Sequence, residues 1–223
     1  MSSKIRSIEQ IIEEQVQKWQ ISKMEKKSAV AIRPVITVSR EPGSGGRVLA
    51  QKLADKHHMD LFHQELLHEI AASAKVSRVF LHTLDEKGLT VLEDWIASLV
   101  HQRHLWPDQY QQHLMKVVGT IGKHGNAVVV GRGANFILPP EGRLRVRVIS
   151  PLEVRIENLV KQYGATASDA KRRIIRTENE RQAFIRKYFN ADIANPIHYD
   201  LVVNTGTLQL DQAVDTVSIA AGL

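Results

Sequence analysis

The sequence predicts an α/β protein: a three-layer α/β/α sandwich on a parallel sheet, with a helical insert and an extra N-terminal helix. Three observations carry that prediction. The run VITV (Val35–Val38) leads into the glycine-rich SREPGSGG, and then into helical spacing at Val48, Leu49, Leu53 and Ala54. That strand–loop–helix order opens an α/β unit. AVVVG (Ala127–Gly131) is continuous and apolar, as a parallel strand covered on both faces is. From there to the C-terminus, strand-like and helix-like segments alternate.

The first 30 residues read as an amphipathic helix, with Ile5, Ile8, Ile12, Val16 and Trp19 three or four apart. Arg33-Pro34 marks a boundary, dividing an N-terminal extension (1–32) from an α/β domain (33–223). Three uses of the helix stay open: docking on its own domain, pairing two subunits as a homodimer, or binding another partner. Residues 64–124 are helical in pattern, with one stripe at Leu89, Leu92, Trp95, Ile96, Leu99 and Val100 and another at Leu114, Val117, Val118 and Ile121. LRVRVIS (144–150) alternates as a strand does. PLEVRIENLVKQYG has proline at a helix start and glycine at its end. A highly charged helical region follows within 164–190, then a fourth strand, YDLVVNT (199–205), and a closing helix.

Composition narrows the function. In 223 residues, 43% hydrophobic and 24% charged, there is no cysteine. Disulfides, thiolate metal sites and cysteine nucleophiles are therefore excluded, and a reducing cytoplasm is the expected location. The formal charge of +6 and pI near 9.6 point to an anionic ligand, either nucleotide phosphates or a nucleic-acid backbone. With five Phe, three Trp and four Tyr, stacking residues beside the basic ones are scarce, which argues against nucleic acid. No apolar run nears 18 residues, so no membrane span is expected, and glutamates stand where a signal peptide needs an apolar core. His57 and His58 are adjacent, and His101 and His104 are i, i+3, but no third ligand accompanies either pair, so no protein-held metal is expected. No G-x-S-x-G supports serine catalysis.

Gly43, Ser44, Gly45 and Gly46 have the composition of a phosphate cradle, in which successive N–H groups converge on oxygens at a helix N-terminus. A tight turn would use the same residues. Laid on G-x-x-x-x-G-K-[ST], the first glycine falls on Arg40, the second on Gly45 and the lysine on Gly46. Arg47 and Val48 follow where the motif needs a hydroxyl. Arg47, one residue late, or Arg40, from the start of the loop, could supply the missing charge, and Ser39 or Ser44 the missing hydroxyl.

Four segments in order, VITVSREPGSGGRVLAQKLA, VVVGRGANFIL, ENERQAFIRKYF and YDLVVNTG, together resemble the cytidylate kinase-like family, from Val35 to the C-terminus. The resemblance implies a P-loop nucleotide kinase-like fold with lid-like helices around 164–190 and an acceptor side in 64–124. It implies that Ser39, Arg40, Gly43, Ser44, Gly45, Gly46 and Arg47 hold donor phosphates, and that Thr205 and Gly206 pass beside the donor purine. Arg132 would clamp the acceptor monophosphate; a salt bridge at the strand end is the alternative. Asn135 would touch base or ribose, or cap its loop. Arg173, Arg176 and Arg181, with Arg172 beside them, would form a lid over the phosphates, or a solvated ion-pair lattice. Arg155 resembles a further lid-side arginine. The family's carboxylates beside the second-motif arginine are here Val130 and Gly133, and a third is His63. The implied activity is ATP-dependent phosphoryl transfer to a nucleoside monophosphate, with magnesium. A nucleotide-binding sensor without turnover and a nucleic-acid-binding protein are the alternatives.

Overall fold

The structure, a computed structural model, is described for residues 7–25 and 34–223. Ile5 and the basic segment 26–33 lie outside the described residues. The chain runs α1 (Ile8–Glu25), β1 (Val35–Arg40), α2 (Gly46–His57), β2 (Asp60–Phe62), α3 (Gln64–Ala72), α4 (Ala74–Leu81), α5 (Glu86–Gln102), α6 (Gln109–His124) and β3 (Ala127–Val130). It continues through α7 (Ala134–Ile137), β4 (Arg143–Ile149), α8 (Leu152–Tyr163), α9 (Ala167–Phe189), β5 (Leu201–Asn204) and α10 (Leu210–Ala220).

The five strands form one sheet in the order β2-β3-β1-β4-β5, and every pairing is parallel. Four of these strands are the ones that the residue pattern predicts. The fifth, β2, is a correction: it has three residues at a sheet edge, too few for any periodicity to register. Because β1 lies between β3 and β4, with Val38 opposite both Val130 and Val146, the loops after these three strands open at the same end of the sheet. That end, outside the carboxyl ends of parallel strands, is where open α/β sheets bind ligands.

Alternation along the strands divides the core into two layers. Ile36, Val38, Val128, Val130 and Val146 pack with Leu49 and Leu53 of α2 and Val217 of α10. Val35, Ala127 and Val129 face the other way, onto Leu67, Phe80, Leu114, Ile121 and Phe189 of the helical insert and α9. The helix ends are set by local chemistry: Asp85, Asp108 and Thr166 accept from the backbone N–H three residues on. Pro151 precedes α8, and Gly164 closes it in the left-handed region.

The α1 helix joins the second layer. Ile12, Val16 and Trp19 are buried, with the Trp19 ring stacked on His124 at 4.0 Å and edge-on to Phe80 at 5.2 Å. Gln15 Nε2 donates to Asp60 at 2.8 Å, and Lys18 pairs with the same carboxylate. Ile12, Val16 and Trp19 of α1 thus pack on its own domain, while Ile21 stays exposed. Among the described residues no helix is long and apolar enough to cross a membrane.

Candidate active site

The site is built where β1 ends. Ser39 is buried, and its hydroxyl accepts from Arg147 Nη1 at 2.8 Å and from Tyr199 at 3.2 Å, which fixes the floor of the crevice. Arg40 follows, half-buried. Its Nη2 donates to Gln64 Oε1 at 2.8 Å, and its Nη1 fills the space that a side chain at Gly131 would need. Arg40 therefore runs sideways from the loop toward the end of β3 and the start of α3.

The glycine loop then turns into α2. Ser44 Oγ donates to Glu41 O at 2.9 Å, Asn158 Nδ2 to Gly43 O at 2.8 Å, and Thr205 Oγ1 to Ser44 O at 2.7 Å. The loop is thus tied to α8 and to the end of β5. Gly45 is the left-handed N-cap of α2, at φ 74°. Among the described residues no acceptor bonds the N–H groups of Gly46, Arg47 or Val48, so the first turn of α2 presents them at the positive end of the helix. Gly206 packs against Pro151, and its N–H donates to Asn204 Oδ1 at 2.9 Å. Thr205 thus stands against the loop, and Gly206 follows it against Pro151.

The missing lysine has a steric cause. A Cβ at Gly46 would lie 2.6 Å from Arg40 Cβ, so the arginine stem occupies the lysine's place. A similar cause holds for one missing carboxylate: the Phe189 ring fills the position of a side chain at Gly133. Val130, at the other carboxylate position, belongs to the apolar layer over α2.

Beside the loop lies a cavity of about 190 Å³, lined among others by Ser39, Arg40, Gln64, Arg132, Asn135, Glu180, Arg181 and Phe184. Arg181, from α9, donates from Nη1 to Arg40 O at 2.7 Å. Arg132 sits between two glycines in a left-handed conformation, at φ 52°. That conformation costs a side-chain-bearing residue about 1–3 kcal/mol. Its guanidinium lies 5.3 Å from the centre of the Phe184 ring. Arg132 Nε and Asn135 Nδ2 are buried and lack a hydrogen-bond partner.

Three cations thus share one cavity. Burial, and then the nearby Arg181, lower Arg40 to about 9; burial, and then Arg147, lower Arg181 to about 10. Both remain protonated at neutral pH, so an anion in the cavity relieves repulsion and supplies the acceptors that the orphaned donors lack. His63, at the start of α3, is half-buried; burial and then Arg47 push its imidazole below the usual histidine range.

The remaining predicted residues lie elsewhere. Arg47 is exposed and 3.7 Å from Glu65. Arg173 covers the Tyr163 ring at 4.3 Å, Arg176 lies 3.8 Å from Glu180, and Arg172 pairs with Asp169, all on the solvent side of α9. Arg155 is buried between Glu178, at 2.6 Å, and Glu41, at 3.5 Å. Glu41 also accepts from Ser150 N at 3.0 Å and lies 3.9 Å from Arg147. Among the described residues no three His, Cys, Asp or Glu form a metal cluster. Sequence reasoning missed Gln64, Glu41 and Phe184. Phe184 had a legible signal, because it sits three residues after Arg181 on one helix; Gln64 and Glu41 had none.

A model of the cytidylate kinase-like family matches residues 35–207. The cytidylate kinase of Ignicoccus hospitalis is 25% identical over 183 residues, covering 82% of this chain and 96% of that protein. That of Methanopyrus kandleri is 26% identical over 200 residues, covering 85% and 94%. An uncharacterized protein from Eubacterium ventriosum shares the fold, with a TM-score of 0.65 at 18% identity over 85% of this chain and 99% of that one. The family match opens on the first residue of β1 and takes in the glycine loop, Arg132, Arg181 and Thr205, leaving α1 outside. With a family model matching well over half its length, on a wholly parallel α/β sheet, this chain belongs to the cytidylate kinase-like family.

Proposed function

We propose that the protein transfers the terminal phosphoryl group of ATP to a nucleoside monophosphate. The observation that carries this reading is the convergence of Arg40, Arg132 and Arg181 on one cavity, next to a glycine loop whose helical N–H groups are free. The cytidylate kinases among its relatives supply the substrate class by likeness. ATP phosphates fit the loop, with the purine against Thr205 and Gly206. The acceptor phosphate fits between Arg132 and Arg181, with Asn135 donating to it.

Phosphoryl transfer is mostly positioning and charge stabilisation. An acceptor phosphate oxygen attacks the terminal phosphorus of ATP, the bond from that phosphorus to the bridging oxygen breaks, and ADP leaves with the electron pair. The attacking oxygen is already anionic, so no general base is needed. Arg40 lies between loop and cavity and neutralises charge on the transferring group, with Arg181 held against its carbonyl. Magnesium, when bound, supplies charge on the nucleotide oxygens. The described residues offer no carboxylate cluster to hold it, so it would be carried by ATP. The cysteine-free chain suits the cytoplasm, where these substrates are.

A second reading, a nucleotide sensor without turnover, is favoured by one observation: Arg47, next to the lysine position, turns away to Glu65. Magnesium-dependent transfer of labelled terminal phosphate from ATP to a panel of nucleoside monophosphates tests both. Transfer to an acceptor, lost in an Arg132→Ala protein purified identically, supports the kinase; ATP binding with no transfer across the panel supports the sensor.

A further inference from the structure

The contacts of α1 converge on β2. Gln15 Nε2 donates to Asp60 Oδ2 at 2.8 Å, Lys18 pairs with Asp60 Oδ1, and the Trp19 ring stacks on Phe62 at 6.1 Å. Strand alternation puts Asp60 and Phe62 on one face of β2, with Leu61 turned to the opposite layer. β2 is a three-residue edge strand paired only to β3, so ladder bonds hold it on one side alone. The side chains of α1 hold it from another direction. Trp19 also stacks on His124 at the end of α6 and stands edge-on to Phe80 of α4. One helix thus ties the sheet edge to α4 and α6.

A short path leads from this clamp to the candidate active site. His63, the N-cap of α3, is extended at φ −74° and ψ 159°, so the chain passes from Phe62 to Gln64 with one residue between. Gln64 Oε1 accepts from Arg40 Nη2 at 2.8 Å, and its Nε2 donates to Glu65 Oε1 at 3.2 Å. Both ends of the amide are therefore committed. Among the described residues no other side chain accepts a hydrogen bond from Arg40. The direction of its guanidinium accordingly depends on where Gln64 stands.

We propose that α1 positions Arg40, acting through β2 and Gln64. The clamp on Asp60 and Phe62 sets the place of the Gln64 amide, and that amide aims the guanidinium at the cavity. The proposal rests on the kinase reading above for the role of Arg40, and it gives a task to a helix that the family match leaves out. Gln15, Lys18 and Trp19 are positioning residues, since none of them lines the cavity.

A double-mutant cycle on the full chain tests this. Gln15→Ala/Lys18→Ala removes both partners that α1 gives Asp60 and leaves Ile12, Val16 and Trp19 in the core; a thermal melt establishes that the protein folds. It is compared with Gln64→Ala, with the two combined, and with Ile21→Ala, an exposed position on the same helix. Single-turnover transfer at saturating ATP, magnesium and nucleoside monophosphate is expected to slow by about 2–12-fold in Gln15→Ala/Lys18→Ala, the effect of one lost neutral hydrogen bond. Ile21→Ala should keep the wild-type rate. Added to Gln64→Ala, the α1 changes should cost nothing further, because they act through that residue. A wild-type rate in the α1 variant overturns the proposal. So does a loss that multiplies with that of Gln64→Ala, which is the pattern of two independent effects.

The same cycle read by equilibrium binding of inorganic phosphate separates this proposal from the kinase reading. If wild type transfers nothing, the kinase reading fails. Phosphate affinity that drops in the α1 variant, and no further with Gln64→Ala, then still upholds the placing of Arg40. Any other pattern, or failure of phosphate to bind, overturns it.

Discussion

The side chain of Arg40 lies across the backbone of Gly46, so that a Cβ at Gly46 would stand 2.6 Å from Arg40 Cβ. The residue at the first glycine position of the usual motif thereby occupies the space of the residue at its lysine position. The loop keeps a cation, but that cation enters from the strand side and ends beside Gln64 and the cavity.

Restoring the lysine is therefore expected to harm the protein. In Gly46→Lys the new stem displaces Arg40, and overpacking of this kind costs about 1–3 kcal/mol. The melting temperature should fall by several degrees, and phosphoryl transfer should fall with it. Thermal melts and transfer rates measured side by side check this; a gain in rate would show that Arg40 does not do the lysine's work.

Arg132, placed on the acceptor phosphate in the proposed reaction, holds a left-handed backbone at some conformational cost. Arg132→Gly suits the left-handed backbone at this position, so the melting temperature should stay near that of wild type. A charge-assisted hydrogen bond to phosphate is worth about 1.5–3 kcal/mol, so acceptor affinity should weaken by roughly 10–150-fold. Titration calorimetry and a thermal melt on the same variant read both halves of the prediction.

Glu41 is the carboxylate between two buried arginines, Arg147 and Arg155. Breaking a buried pair by removing one partner costs about 3–5 kcal/mol. Glu41→Gln should therefore lower the melting temperature far more than Glu157→Gln, whose carboxylate forms an exposed pair with Lys161. Comparable melts for the two variants would show that Glu41 does not hold the pair together.

Acceptor binding should depend on pH in a defined sense. Burial, and then Arg147, lower Arg181 to about 10 in the free protein. The guanidinium binds phosphate only when protonated, so affinity should be level between about pH 7 and 9 and fall as pH rises through about 10. A bound dianion opposes that loss by favouring the charged form, so the fall should begin later at saturating acceptor. Binding isotherms across this range check the sign.

Much of the fold was legible because most of its strands announce themselves. The sheet edge is the exception: Ala127–Val130 is a continuous apolar run, whereas Asp60–Phe62 is three residues with no pattern to find. The glycine loop, Arg132 and Arg181 could be located from motif order, since each follows a strand or lies on a long helix. What could not be read was direction. Arg173 and Arg176 sit on the same helix as Arg181 but point to solvent, because α9 buries Ala170, Ile174, Ile185 and Phe189 and leaves them on the other side. Nor could spacing show that Arg40 would cover Gly46, or that Glu41 would collect two arginines from β4 and α8; both are contacts across the fold.

The most direct measurement is single-turnover transfer at saturating ATP, magnesium and nucleoside monophosphate, comparing wild type with Arg40→Ala. If Arg40 is the cation of the transferring group, the rate should fall by about 10²–10³ while ATP affinity changes little. An Arg40→Ala protein that folds and transfers phosphate at the wild-type rate would contradict the account.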